Sequence, residues 1–309
     1  MVLTAGTIHD VLARRNPTLD VKTGKGSLSK DPGWEGAHYS LIKPWDEFNY
    51  QNLVNGWGHI LSIQGAKGKF EDEISNSQKE IIDEDKIDSV AEIWNVECLR
   101  DPLKKGAERI RGTPQPDVTI RKKYMQYTGP KCPKKKKMEP DMAIFLKDGT
   151  RTSCTTLVMG DNKCATKWSH RAVTRSTKEQ SKELLWPIRQ IVTYCVHART
   201  RYGYIMTTSE VVVFRVSKNA STSDPIKHTV EWNHVPWSNN GEGQLTVNLA
   251  IWWLGMLGLI ENHRAIVMPR QLLPINSWQK SIKDKTDTYT HILGGCTRKT
   301  FPPGNPHIS

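Results

Sequence analysis

Two short stretches of this chain carry residue types that can work on a phosphate ester: Pro140-Asp141, and further along Gly160-Asp161-Asn162-Lys163. Each adjoins a run of strand character. Residues 141–146 and 155–159 are apolar and β-favouring, and Lys147-Asp148-Gly149-Thr150 between them is a tight-turn signature, so the two runs are expected to pair as a hairpin. Side chains alternate faces along a strand, so Asp161 and Lys163 point the same way, and the hairpin brings Asp141 beside them. Two carboxylates and a lysine would then converge. Carboxylate oxygens are hard donors suited to Mg²⁺ or Mn²⁺, and a cation beside them can serve the attacking water and the scissile phosphate, as metal-assisted phosphodiester hydrolysis requires. The same residues also admit a purely structural reading: Asp141 begins a strand, and Asp161 with Lys163 forms an exposed ion pair at a strand end.

Other elements must hold these groups in place. Ile87, Val90, Ala91, Trp94 and Cys98 recur at steps of three and four, which predicts a helix over residues 86–100. Helical periodicity returns over 178–199 through Leu184, Ile188, Ile191, Val192 and Cys195, with Pro187 marking a kink or the true start of the regular helix. Residues 202–207 and 211–216 read as a second hairpin across Thr208-Ser209-Glu210. His170, Arg171 and Arg175 fall on an expected loop. The expected order from residue 86 is therefore helix, strand, strand, helix, strand, strand.

At these residues the sequence resembles the PD-(D/E)XK nuclease superfamily, whose signature is Pro-Asp, a spacer across a hairpin, then Asp or Glu, any residue, and Lys. Here the elements are Pro140-Asp141 and Asp161-Asn162-Lys163, and Gln190-Ile-Val-Thr-Tyr194 matches the Gln-x-x-x-Tyr that related exonuclease-like and resolvase-like members carry on the following helix. Residues 138–218 also resemble the nuclease-like domain of large, mostly uncharacterised fungal families. The resemblance implies an α/β fold, a restriction-endonuclease-like core of a mixed β-sheet flanked by helices. It implies that Asp141 and Asp161 are metal ligands, with the backbone carbonyl of Asn162 a further one, and that Lys163 activates water. Many members add a glutamate from the first helix. Glu92 and Glu97 compete for that place, and an α-helical wheel sets Glu97 beside Val90 at the edge of the apolar face, which favours Glu97. Gln190 and Tyr194 would contact phosphate or hold the lysine. The implied activity is a Mg²⁺- or Mn²⁺-dependent nuclease acting on DNA or RNA; the alternative is a catalytically inactive nuclease-fold module that binds nucleic acid or a protein partner.

Composition agrees with a nucleic-acid partner. Across 309 residues, Lys and Arg number 44 against 32 Asp and Glu, a formal charge of +12 that favours polyanions. Residues 101–137 hold much of that excess and end in the run Lys134, Lys135, Lys136 and Lys137, a candidate nucleic-acid contact on a stretch expected to be loop or irregular strand, because Gly and Pro interrupt it. The longest apolar stretch, 245–260, is too short to span a bilayer and contains Asn248; it reads as a buried helix in which Trp252 and Trp253 pack rather than stack on bases. No secretory signal is evident at the N-terminus, so a nuclear or cytoplasmic protein with no membrane association is expected. The six cysteines show no close pair of the kind that announces zinc. No phosphate-binding loop, nucleophile elbow or His-Glu-x-x-His run occurs. Three parts are expected: a loosely packed N-terminal extension (1–85), a nuclease-like core (86–218), and a C-terminal extension (219–309) whose apolar helix packs on the core.

Overall fold

Seven segments, the central ones buried along nearly their whole length, build one mixed sheet in the computed structural model, which describes all residues except 1–4, 23–26, 114–116, 122–124, 130–131, 148–153, 180–181, 222–225, 284–285, 303–306 and 309. The chain enters through α1 (Ile8–Leu12), opened by a reciprocal cap between Thr7 and Asp10. β1 (Ile42–Pro44) and α2 (Tyr50–Leu61) follow. Asp83 then caps α3 (Glu84–Val90) by accepting the Lys86 N–H. α3 runs through a π-helical stretch, Ala91–Val96, into α4 (Glu97–Arg111), which ends where Gly112 adopts φ 62°.

The strands that carry the acids come next: β2 (Asp117–Arg121), the pair β3 (Met125–Gly129) and β4 (Cys132–Met138), then β5 (Met142–Lys147) and β6 (Cys154–Lys163). α5 (His170–Glu179) and α6 (Trp186–Ala198) lead into β7 (Tyr202–Thr207), β8 (Glu210–Lys218) and β9 (His228–Pro236), and α7 (Val247–Leu259) follows. In the seven-stranded sheet the order is β1-β9-β8-β7-β6-β5-β2. β2, β5 and β6 are successively antiparallel, and β7 joins β6 in parallel after the α6 crossover. The protein is thus α/β, with a mixed sheet between helices.

Each sheet face carries its own core. Tyr202, Tyr204 and Met206 cluster with α4 and α7 on one face, while Met159, Ile205 and Val212 cluster with Ile188, Ile191 and Val192 of α6 on the other. Every residue of α7 is buried, as its all-round apolar sequence predicts, and Trp252 and Trp253 are wholly enclosed. The helix comes close enough to β6 that a Cβ on Gly258 would lie 2.7 Å from the Leu157 carbonyl oxygen.

Several expectations need correction. Residues 1–85 are not loosely packed: β1 is a strand of the main sheet, Phe48 stacks on Trp253 at 4.4 Å, and Trp57 meets Trp252 edge-on at 6.4 Å. The helix predicted over 86–100 continues to Arg111, because Leu103, Gly106 and Ala107 extend its buried face toward α7. His170, Arg171 and Arg175 lie on a helix, α5, rather than a loop. Residues 228–236, placed within the C-terminal extension, form a strand of the main sheet because β8 offers a full hydrogen-bonding edge. Pro187 sits in the first turn of α6, where its missing N–H costs nothing. The predicted turn at Asp148-Gly149-Thr150 lies outside the described residues.

Candidate active site

The pairing of Met142 with Gly160 fixes the site, since continuing that antiparallel register by one residue sets Asp141 opposite Asp161. Asp141 stands in a bend just before β5, and its Oδ2 accepts the Asn162 backbone N–H at 2.7 Å. Asp161 and Lys163 share the α6 side of the sheet and are only 1% and 6% exposed. They form a direct ion pair, and the Lys163 ammonium also donates to the Asn162 carbonyl at 3.2 Å. The convergence expected from the alternating pattern is therefore present, but the pair is enclosed rather than exposed.

Electrostatics follow from that enclosure. Burial, then the neighbouring charges of Asp161 and Asp88, pushes the Asp141 carboxyl up to about 8, against the opposing hydrogen bond from Asn162. Burial likewise holds Asp161 above the ordinary carboxylate range, opposed by Lys163. Burial acts against the Lys163 charge, yet the attraction of Asp161 outweighs it and leaves the lysine above its ordinary value. Two crowded carboxylates that resist ionisation are a donor set whose repulsion a divalent cation would relieve.

α6 covers the acids. Gln190 and Tyr194, one turn apart, share a hydrogen bond of 2.8 Å from the Gln190 amide to the Tyr194 hydroxyl. The Tyr194 hydroxyl is pushed up by burial and then by Asp161, so Tyr194 lies within reach of the charge of that acid, and Gln190 is held to it. Among the described residues, the buried Oε1 of Gln190 and Oδ1 of Asn162 have no hydrogen-bond partner. On the other face Tyr204, paired with Gly160, lies over that glycine so closely that a Cβ there would fall 2.3 Å from the ring.

The acid from the first helix is not the expected one. Glu97 pairs with Arg100 at 2.7 Å and makes no hydrogen bond or ion pair with Asp141, Asp161 or Lys163. Instead α3 delivers Asp88, whose Oδ1 accepts the Asn162 side-chain amide at 2.8 Å, and Glu84, whose charge acts on Asp161 and Lys163. The helical wheel that favoured Glu97 assumed 3.6 residues per turn, whereas the π-helical Ala91–Val96 has wider turns and puts everything after it out of phase. Lys134, Lys135, Lys136 and Lys137 lie on β4, whose pairing with β3 carries a register shift, so of the two expectations the irregular strand holds; their side chains lie outside the described residues.

No protein-family model matches the chain, and no curated protein matches it at a significant level.

Proposed function

We propose that this chain is a Mg²⁺- or Mn²⁺-dependent nuclease of the PD-(D/E)XK type, hydrolysing phosphodiester bonds in DNA or RNA. The reading rests on the meeting of Asp141, Asp161 and Lys163 at the end of a β5–β6 hairpin. The surrounding order supports it: helix α4, a mixed sheet containing β2, β5 and β6, and helix α6 follow one another as the helix, mixed sheet and helix that the resemblance implies.

Asp141, Asp161 and the Asn162 backbone carbonyl are the oxygens that would hold the metal, with Asp88 poised behind Asn162. A bound divalent cation would supply Lewis acidity toward the phosphate and a more acidic water. The chain's own work is orientation and charge: Lys163, already turned toward the acids, would offset negative charge that develops on the phosphate. Gln190 and Tyr194 would fix the lysine side of the site.

The enclosure of Asp161 and Lys163 favours a second reading, a nuclease-fold module that binds nucleic acid or a protein partner without cutting. Incubating the purified chain with end-labelled single- and double-stranded DNA and with RNA, in Mg²⁺ or Mn²⁺, separates the two. The nuclease reading expects cleavage that chelation stops and that Asp161→Asn or Lys163→Ala lowers on the order of 100-fold or more, with folded-state circular dichroism retained at the assay temperature. Cleavage undiminished in both variants contradicts it. Binding without cleavage in any metal selects the second reading.

A further inference from the structure

A second cluster of metal-ligating side chains lies away from the acids. His170 is the first residue of α5, Glu210 the first of β8, and His234 lies on β9 opposite Val212. Glu210 and Val212 are two apart on one strand, so Glu210 and His234 project from the same sheet face. α5 closes over them: the His170 backbone N–H donates to Glu210 Oε1 at 2.6 Å, its ring Nδ1 meets Glu210 Oε2, and its ring stacks on that of His234 with centroids 3.9 Å apart. One ligand atom from each of the three residues lies within 4.8 Å of the others.

We infer that His170, Glu210 and His234 form a binding site for one divalent transition-metal ion of the zinc class. Two imidazole nitrogens and one carboxylate oxygen suit Zn²⁺, Co²⁺ or Fe²⁺ far better than Mg²⁺, which takes oxygen ligands. Three protein ligands also leave a coordination position for water. Glu210 is enclosed, with 5% of its side chain exposed, while the His170 ring retains 28% and gives an ion a way in.

This site is distinct from that of the proposed nuclease. Asp161 pairs with Ile205, Ile205 with Val212, and Val212 with His234, so His234 stands three strands from Asp161 in the same register row. Three strand spacings are roughly 14 Å, far beyond the roughly 4 Å that separates the ions of a two-metal centre. A metal here would pin the start of α5, which follows Lys163 by a short connection, to β8 and β9. The role is that of a clamp beside the acids.

Co²⁺ titration followed by visible absorption tests it, on the full chain, on Asp161→Asn, and on His170→Ala and His234→Gln. The expected result is one Co²⁺ per chain with an imidazole-ligated d–d band in Asp161→Asn, where the acids cannot hold an ion, and the same band in the wild type, Zn²⁺ displacing it and raising the melting temperature. Affinity should fall at least the roughly 10–100-fold typical of losing even an outer-shell partner in each histidine variant. Absence of Co²⁺ binding by the wild type overturns the site whatever the variants do. So does the same d–d band surviving in both histidine variants, or disappearing in Asp161→Asn. Failure of the nuclease reading leaves these outcomes unaffected.

Discussion

Asp141 faces two opposed demands. As the proposed metal ligand it must be ionised, yet the folded chain holds this carboxyl up to about 8 where the ordinary aspartate value is 3.8. Between those two values the unfolded chain binds fewer protons than the folded one, so the contribution of Asp141 to stability falls as pH rises through that window. Thermal unfolding in the absence of metal should therefore show the wild type losing melting temperature relative to Asp141→Asn as pH rises from about 4 to about 8. The same substitution should leave the chain at least as stable as wild type at pH 8, because it removes a crowded buried charge. A wild-type melting temperature that gains on that of Asp141→Asn over this range, or one that Asp141→Asn lowers strongly at pH 8, contradicts the electrostatic account. Such a site resembles a strained device in which stability is given up where function needs it.

At the scale of elements, most of what builds the site was legible. The hairpin, the share of one face by Asp161 and Lys163, and the Gln190 and Tyr194 pair all follow from two local periods, 2 along a strand and 3.6 along a helix. What was not legible depends on distant partners. Residues 228–236 are polar enough to pass for a connector, and become a strand only because β8 pairs with them from Glu210 to Lys218. His170 and Glu210, forty residues apart, meet through a fold that no local period encodes. Glu97, favoured over Glu92, pairs with Arg100 instead of the acids for another reason, since nothing in the sequence marks the π-helical Ala91–Val96 that resets the phase of the helix. If Asp88 supports the site through Asn162, Asp88→Ala should weaken Mg²⁺ binding about tenfold or more, while Glu97→Ala leaves it unchanged. Equal effects from both variants, measured by calorimetry, contradict that assignment.

The whole molecule is more closely knit than its composition suggests. The N-terminal stretch supplies β1 and buries Trp45, Phe48 and Trp57 at 1% exposure or less, two of them against the tryptophans of α7. Losing a single buried Phe or Trp costs about 3–5 kcal/mol, a large fraction of a typical domain's stability. A chain beginning at residue 86 should therefore lose cooperative thermal unfolding, which far-ultraviolet circular dichroism would report. A truncated chain that melts as sharply as the full one contradicts this view of the core. No helix among the described residues is long and apolar enough to cross a membrane. The excess of positive charge, +12 over the chain, gives the molecule a long-range attraction for the polyanions on which the proposed site would act.

Calorimetric titration of Mg²⁺ into the purified chain, beside the Asp141→Ala/Asp161→Asn double variant, tests the central claim most directly. The account predicts saturable Mg²⁺ binding by the wild type, tighter as pH rises toward about 8 because Asp141 must give up its proton, and no binding by the double variant. No Mg²⁺ binding by the wild type, with nucleic acid absent and present, or equal binding by the two proteins, would contradict it.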